Sequence, residues 1–438
     1  MWVSNSSVEI LEDEWIVPYY KTIIDMKKSI SNSNLKYVRL KELCHISSGL
    51  YVRNYIDSGT HFLRVDNIRP FLIQLNDDDV VYVDESNVPD RCKVREGDVI
   101  ISRTGTLGKA SVCPKQLDGS VLSQHLTKLV PKDERITSAY LATFLNSPIG
   151  KSQLIGLAFG STRLELTHDR IGKVWVPIVS KKDQKSAEKK LTTAIEAYYQ
   201  AHSEICNSIN ELNLYFSEIF KAEYQTSYDA LLSDDNWCVR KYQPRSVIPM
   251  LKITDEFQVA NLEDIAEISR GKGTRSSDFS ETGIPFVRTS TLMNHGIDPF
   301  PDHYASTDVV EKYKQPMASQ HILYSIEGKV GEVAILTKAE NCVIKNHVEW
   351  VRAIDEKDAI WIFLCLTSII GRTQAKMHLV VQATIPGISS KLRKFMIPMN
   401  SKKQSTFNAF RQELVDRVKS SLEKRNMAIN TLRELMAA

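Results

Sequence analysis

The chain has 438 residues, of which 42% are hydrophobic and 25% are charged. This composition is that of a globular protein with enough apolar residues for substantial cores, so it excludes a wholly disordered chain, a collagen and a small disulfide-stapled scaffold. The 56 Lys and Arg residues exceed the 53 Asp and Glu residues by only three. A nucleic-acid contact would therefore have to come from local basic patches.

The cysteines and the apolar runs predict the compartment. Seven cysteines are scattered without a Cys-x-x-Cys pair, so neither a zinc ribbon nor a redox dithiol is predicted. Free thiols are typical of a reducing compartment. The first ten residues lack the pattern of a signal peptide, and no run of 18 apolar residues could cross a membrane. We expect a cytoplasmic chain that binds no metal and no membrane.

The first part of the chain, from about residue 10 to 179, has the pattern of a mixed α/β domain. Short apolar runs bounded by Gly, Pro, Asp and Asn predict strands. These runs lie at 62–65, 80–83, 99–102 and 126–130, and a helix is predicted at 138–146.

The next segment has a different pattern. Between residues 183 and 220 there is no Gly or Pro, and apolar residues recur at steps of three and four from Leu191 to Ile219. One slip falls between Ile205 and Ile209. Such a narrow stripe is typical of a coiled-coil seam. About 35 residues at ~1.5 Å each predict a rod of about 50 Å.

The second half repeats this order. Strands are predicted at 285–288, 322–325 and 333–336, and a helix at 359–368. A second apolar stripe runs from Phe407 to Met436. Two matching rods in one chain are predicted to pair as an antiparallel coiled coil. The alternative is that each helix packs on its own globule.

Collinear matches show that the two halves are copies. Residues Leu40 to Gly49 resemble Leu262 to Gly271 at an offset of 222, and His125 corresponds to His347 at the same offset. Further matched sets, at offsets of 221 to 223, are Asp13, Trp15 and Val17 with Asp235, Trp237 and Val239; Ser102, Gly105 and Gly108 with Ser325, Gly328 and Gly331; and Gly150 with Gly371. We infer a tandem duplication. The predicted domains are a recognition domain at 1–179 (its repeat starting near 10), a central helix at 180–226, a second recognition domain at 227–400 and a C-terminal helix at 401–438.

The segment from Gly97 to Gly108, with Asp98, Arg103 and Gly105 between them, resembles a motif of the target-recognition domains in specificity (S) subunits of type I restriction-modification enzymes. The stretch from Arg170 to Pro177 is similar to the one that closes such a domain before its long helix. The resemblance covers nearly the whole chain. In the second copy Gly97, Asp98 and Arg103 have no identical counterparts.

This resemblance implies a division of labour. Such a subunit binds double-stranded DNA and carries no catalytic residues and no cofactor. Two methyltransferase subunits clamp around it and supply S-adenosylmethionine and adenine methylation, and restriction subunits can join them. Because the two recognition domains differ in sequence, the resemblance implies an asymmetric bipartite DNA target.

Polar side chains on the predicted loops are the candidates for DNA contact, because Arg pairs with guanine, Asn and Gln with adenine, and Lys with phosphate. In the first copy they are Arg53, Arg64, Asn67, Arg69, Arg103, Thr104, Thr106, Lys109 and Arg163. In the second they are Lys272, Arg275, Arg288, Thr289, Ser290, Thr291, Asn294, Lys329, Gln382 and Thr384. The paired glycines are consistent with close approach to phosphate or with tight hairpins alone. His125 and His347 are predicted to be structural.

Two other classes of protein remain as alternatives. Asp302 with Glu327 and Lys329 superficially fits the acidic-plus-lysine pattern of a metal-dependent nuclease, which would make the chain a self-sufficient enzyme. The repeat argues against it, because Thr104 stands at the position of Glu327 in the first copy. The other alternative is a coiled-coil scaffold that joins two protein-binding modules. The sequence contains no Asn-Pro-Pro-Tyr or Asp-Pro-Pro-Tyr motif, no P-loop and no His-Glu-x-x-His motif.

Overall fold

The computed structural model describes residues 35–74, 81–160, 164–221, 244–273, 278–280, 282–313, 321–337, 340–382 and 385–437. The chain divides into two compact units, Met1–Ile195 with Asn430–Ala438, and Glu196–Ile429. The matched segments around Trp15 and Trp237 lie outside the described residues. None of the described helices is long and apolar enough to cross a membrane.

The first unit holds nine strands among its described residues. They are β1 (Lys36–Arg39), β2 (Cys44–Ser48), β3 (Thr60–Leu63), β4 (Val81–Val83), β5 (Val99–Ser102), β6 (Ala110–Val112), β7 (Val121–Leu122), β8 (Leu126–Pro131) and β9 (Trp175–Ile178). Its helices are α1 (Leu40–Leu43), α2 (Ser138–Asn146), α3 (Pro148–Leu157) and α4 (His168–Gly172), and the long helix α5 (Lys181–Lys221) begins here.

These strands form three small sheets. The largest is antiparallel, in the order β2-β8-β5-β6. In the second, ordered β4-β3-β7, β4 is antiparallel and β7 parallel to β3. β1 pairs with β9 in an antiparallel ribbon. The predicted mixed α/β class is confirmed, and helix α2 has the predicted limits.

The second unit contains the remaining elements. Its strands are β10 (Phe257–Asn261), β11 (Ala266–Arg270), β12 (Ile284–Val287), β13 (Leu292–Met293), β14 (Gly296–Ile297), β15 (Tyr304–Ala305), β16 (Ile322–Ser325), β17 (Val333–Ile335), β18 (Val343–Ile344), β19 (Val348–Ala353), β20 (Val380–Gln382), β21 (Ile385–Gly387) and β22 (Met396–Ser401). Its helices are α6 (Pro244–Glu256), α7 (Leu262–Ile265), α8 (Thr307–Tyr313), α9 (Ala359–Thr367), α10 (Ile369–His378) and α11 (Phe407–Ala437).

The strand pairing of the second unit repeats that of the first. Its four-stranded antiparallel sheet runs β11-β19-β16-β17, and its three-stranded sheet runs β15-β12-β18 with the same mixture of directions. β10 pairs with β22 as β1 does with β9. The small cores also correspond, since Leu63 and Ile100 of the first unit have their counterparts in Val287 and Leu323. The duplication inferred from sequence is therefore a duplication of fold.

The two long helices pack against each other within the second unit. Tyr215 of α5 lies against Phe407 and Phe410 of α11, with ring centroids 5.7 and 4.9 Å apart. Further along α5 toward its start, Glu204 accepts from Lys424 at 3.3 Å. Residue numbers rise along α11 in the direction in which they fall along α5, which confirms that the two helices pack antiparallel.

Both helices also share one core with the sheets of this unit. Ile205, Leu212 and Leu414 belong to the same apolar cluster as Trp361 and Phe395. The alternative, in which each helix packs only on its own globule, is wrong for this unit. Ile205 and Ile209, the residues on either side of the slip in the apolar stripe, are both buried.

A glycine at the end of β11 is required by a close approach of two backbone segments. A Cβ at Gly271 would lie 2.3 Å from the Lys345 carbonyl oxygen and 2.4 Å from that of Ile344. Gly49 occupies the equivalent place in the first unit, where a Cβ would lie 1.9 Å from the Leu122 carbonyl oxygen. The matched glycines therefore allow the same close approach of two backbone segments in both units, which we call the glycine crossing.

We predict that Gly271→Ala lowers the free energy of unfolding by roughly 1–3 kcal/mol or more, because the added methyl group forces two backbone segments apart. Urea unfolding followed by circular dichroism measures the effect. Gly273→Ala is the matched control, since a Cβ there meets nothing within 4 Å. Equal stability of the two variants would contradict the role given to the crossing.

Candidate nucleic-acid interface

The Ser-x-x-Gly-x-x-Gly segment forms a tight hairpin between β5 and β6. The Ser102 hydroxyl donates to the Thr106 carbonyl oxygen at 2.6 Å and accepts from the Lys109 amide at 3.1 Å. Gly105 and Gly108 have φ angles of 74° and 78°, in the left-handed region that favours glycine. The hairpin interpretation is confirmed, and contact with phosphate stays a prediction.

The second unit builds the same hairpin between β16 and β17. The Ser325 hydroxyl donates to the Lys329 carbonyl oxygen and accepts from the Glu332 amide at 2.8 Å. The exposed residue at the tip differs, because Lys329 stands where the first unit has Thr106. The two hairpins thus share one backbone conformation but expose different side chains at the tip.

A second shared feature is a capped 3₁₀ turn after β3 and after β12. The Asn67 side-chain oxygen accepts from the Arg64 amide at 2.8 Å, and the Thr291 hydroxyl accepts from the Arg288 amide at 2.8 Å. Asn67 and Thr291 are buried. Their polar groups hold the turn, so the equivalence of Arg64 and Arg288 reflects shared backbone geometry.

Six of the predicted DNA-contacting residues are buried, which corrects the expectation that they lie on open loops. They are Asn67, Arg69, Thr104, Lys109, Thr291 and Asn294. The Arg69 guanidinium, for example, donates to the carbonyl oxygens of Asp66 and Ile68 at 2.8 and 3.0 Å. The side chains of Asn67, Arg69 and Thr291 hydrogen-bond to backbone groups inside the fold. Base edges could reach these buried positions only after rearrangement.

The remaining candidates fall into three groups. Arg53, Thr106, Lys272, Ser290 and Lys329 are exposed, whereas Arg64, Arg103, Arg288 and Thr289 are half-buried. Arg163, Arg275 and Thr384 lie outside the described residues, as does the side chain of Gln382, whose backbone ends β20. Of the exposed candidates, Arg53 and Thr106 belong to the first unit and the other three to the second, and their DNA contacts stay predictions.

Arg103 is engaged in a polar network at the base of the first hairpin. Its guanidinium forms an ion pair with Glu165 and donates to the Ser48 hydroxyl at 3.1 Å. That hydroxyl also contacts the His168 imidazole. Burial lowers the pKa of His168, and the nearby charge of Arg103 lowers it further. Base readout by Arg103 would require it to leave this network.

Glu327, which stands at the position of Thr104, lies at the base of the second hairpin and contacts two side chains, Arg270 and His347. It pairs with Arg270, and its other oxygen lies 2.5 Å from Nδ1 of His347. Burial raises the pKa of Glu327, but the hydrogen bonds from His347 and Arg270 outweigh it, so the pKa is lowered overall. Within the described parts of the chain, no group of three or more His, Cys, Asp or Glu residues could hold a metal ion. Glu327 therefore links Arg270 and His347 at the base of the hairpin, and the structural role of His347 stays a prediction.

A cavity of about 350 Å³ opens beside the hairpin of the first unit. We call it the Tyr51 pocket; its lining includes Tyr51, Tyr55, Phe62, Arg64, Ser123 and Gln124. Arg64 and Thr106 are the predicted contact residues that it brings together. Sequence reasoning missed the two tyrosines. The alternation of Tyr51, Arg53 and Tyr55 after Gly49 was the available signal, since aromatic residues interleaved with basic ones are typical of nucleic-acid-binding surfaces.

Asn294, a predicted base reader, instead anchors the β13–β14 hairpin to the long helices. Its side-chain amide donates to the Tyr198 hydroxyl of α5 at 3.2 Å. The buried Arg425 of α11 donates to the carbonyl oxygens of His295 at 3.1 Å and of Ile335 at 3.0 Å. His202 of α5 lies against His295, with ring centroids 5.8 Å apart.

A family model matches the two copies of the repeat separately. The family model described as the type I restriction modification DNA specificity domain matches residues 32–211 and 254–426. Among solved structures, the type I restriction-modification S subunit from M. genitalium is 13% identical, over 92% of this chain and 95% of that chain, with a TM-score of 0.37. The HsdS subunit from Thermoanaerobacter tengcongensis is 15% identical, over 92% and 97% of the two chains, with a TM-score of 0.30. The comparison with curated proteins gives no match.

The family model covers most of the chain in two separate regions. The chain therefore belongs to the type I restriction-modification specificity subunits, with two tandem specificity domains.

We predict that the second unit loses stability as the pH falls from 7 to 5. Burial, together with the charge of Arg425, lowers the pKa of His202 to about 4. Burial, with His202 and Arg425 nearby, lowers that of His295 to about 3. The unfolded chain takes up these protons below pH ~6.5, whereas the native state resists them, so stability is complete above that pH and is lost toward pH 4.

The variant His202→Gln keeps a donor for the Asn294 carbonyl oxygen but does not titrate. Its free energy of unfolding should fall by roughly 1–2 kcal/mol less than that of the unmodified chain between pH 7 and pH 5. Urea unfolding at both pH values measures the difference. Parallel pH dependences in the two proteins would show that His202 is protonated natively or is not enclosed.

Proposed function

We propose that this chain is the DNA-reading subunit of a type I restriction-modification enzyme and recognises an asymmetric bipartite target in double-stranded DNA. Each unit reads one half of the target. One observation carries this proposal: the two units share the same strand pairing but have different residues at equivalent exposed positions, at the hairpin tip and after the glycine crossing. Thr106 and Lys329 occupy one such pair of positions, and Tyr51 and Gly273 occupy another. Unlike side chains on the same frame would select unlike base pairs.

The remaining parts of the enzyme lie on other chains in this proposal. The chain has no catalytic residues and no cofactor of its own. Two methyltransferase subunits dock on it and bring S-adenosylmethionine, and restriction subunits are further partners. The complex works on DNA in the cytoplasm. The net charge supports the proposal that the partner subunits share in binding the DNA. An excess of three positive charges is small for a chain that binds DNA alone.

The direct test is selection from randomised duplexes by the full chain in complex with its methyltransferase subunits. We expect an enriched motif of two unlike blocks separated by base pairs that are not read. A single continuous block, or two identical inverted blocks, would contradict two readers of different chemistry.

Titration of the selected duplex at graded salt concentrations completes the test. A phosphate-gripping protein loses affinity linearly on a plot of log association constant against log salt. A coiled-coil scaffold for protein modules would show neither this slope nor any enriched motif.

A further inference from the structure

The Tyr51 pocket has the walls of a site for a flat ring. Tyr51 and Tyr55 are 64% and 48% exposed, which is unusual for side chains of this size. Phe62, which is buried, lies against Tyr55 with ring centroids 5.7 Å apart. Exposed aromatic faces beside an open cavity are platforms on which nucleobases stack.

The polar groups of the pocket supply both donors and acceptors. Arg64 and the amide of Gln124 donate, the Asp66 carboxylate accepts, and the Thr106 hydroxyl does both. A phosphate would need donors alone, and the Asp66 carboxylate would repel it. The pairing edge of a nucleobase, by contrast, presents donors and acceptors side by side.

Ser123 gives an independent indication that a ligand belongs here. This residue lines the pocket and is only 6% exposed. Its hydroxyl makes no hydrogen bond with any residue that the structure describes. A buried hydroxyl without a partner costs free energy, and rotation of the Ser123 side chain toward the cavity would let a polar ligand atom satisfy it.

Backbone hydrogen bonds fix three of the residues that line the pocket before any ligand arrives. The Leu50 amide donates to the Leu122 carbonyl oxygen at 2.9 Å, and the Gln124 amide donates back to the Leu50 carbonyl oxygen at 3.0 Å. Ser123 is tied to β3 through its amide, which donates to the Leu63 carbonyl oxygen at 2.9 Å. A preformed cavity binds without the entropic cost of ordering its walls.

We propose that the Tyr51 pocket holds a single nucleobase that has left the DNA stack, in the half-target read by the first unit. This inference rests on the proposed function. The base stacks on Tyr51 and Tyr55, and its pairing edge meets Ser123 and Gln124. The second unit reads its half differently, because Gly273 and Lys345 stand at the positions of Tyr51 and Ser123.

Duplexes that carry one mismatch at a time, placed through both blocks of the selected target, test the proposal. A base that leaves the stack must first unpair, so a mismatch that keeps this base removes part of the cost. A methyltransferase also extrudes the adenine that it methylates, so a position counts for the pocket only if its tightening is lost in Tyr51→Ala. We expect one such position, in the block read by the first unit, at which the mismatch tightens binding of the unmodified complex by roughly 5- to 50-fold. A base that stays in the stack gives no such position, and that result overturns the proposal.

Substitutions in the pocket test whether the base at the DNA position found with the mismatches contacts Tyr51. Tyr51→Ala should weaken binding of the matched duplex by roughly 5- to 100-fold, whereas Tyr51→Phe, which keeps the ring, should bind as the unmodified chain does. Ile155→Ala is the control, because Ile155 is an apolar side chain of the same unit, 47% exposed, that does not line the pocket. Permanganate oxidation of an unstacked thymine at the same position gives a readout besides affinity.

The outcomes separate the two proposals. Absence of any sequence-specific binding by the unmodified complex overturns the proposed function and the pocket with it. Sequence-specific binding without a tightening mismatch overturns the pocket alone. If Tyr51→Ala weakens binding but no mismatch tightens it, the tyrosine contacts a base within the duplex, and the proposal of an unstacked base is wrong.

Discussion

The antiparallel packing of α5 against α11 is the constraint on which the second unit depends. Ser208 of α5 and Ser421 of α11 are fully buried, and the Ser421 hydroxyl donates to the Glu204 carboxylate of α5 at 2.6 Å. Around this seam the helices anchor the sheets through specific polar contacts. Asn213 of α5 accepts from the first amide of α10 at 2.7 Å, and Arg411 of α11 pairs with Asp358 just before α9. Because these anchors come from both helices, the helices act as the frame of the recognition domain and not as an appended linker.

The same division between frame and variable positions runs through each recognition domain. Strand pairing, the glycine crossing and the capped turn are common to both units, and their polar residues face backbone groups. The positions free to differ lie at the hairpin tip and on the segment after the crossing, where Thr106 and Tyr51 have the counterparts Lys329 and Gly273. In the proposed function, this constant frame with variable positions at its exposed edge would let the two copies of one domain select different base pairs.

Sequence reasoning predicted the regular elements well and the polar residues poorly. Helix α5 (Lys181–Lys221) was predictable at 183–220 because a segment without Gly or Pro carries apolar residues at steps of three and four, and β5 was predictable because its three apolar residues are bounded by turn residues. Asn67 and Asn294 were predicted to contact DNA by residue type alone. Residue type does not distinguish an amide that caps a turn or holds a helix from one that faces solvent, since that depends on contacts between residues distant in sequence. The Tyr51 pocket was missed for the same reason, because segments far apart in the chain form its walls.

The central claim is that each unit reads its own half of the target, and alanine substitution at one exposed basic residue of each unit tests it most directly. Arg53 of the first unit and Lys329 of the second are the two residues to substitute, with Lys357, on the turn before α9, as an exposed control. Selection of bound duplexes should show that Arg53→Ala relaxes or weakens recognition of one block and Lys329→Ala that of the other, while Lys357→Ala leaves both blocks unchanged. If both substitutions affect the same block, or affect the two blocks equally, the account of two independent readers is contradicted.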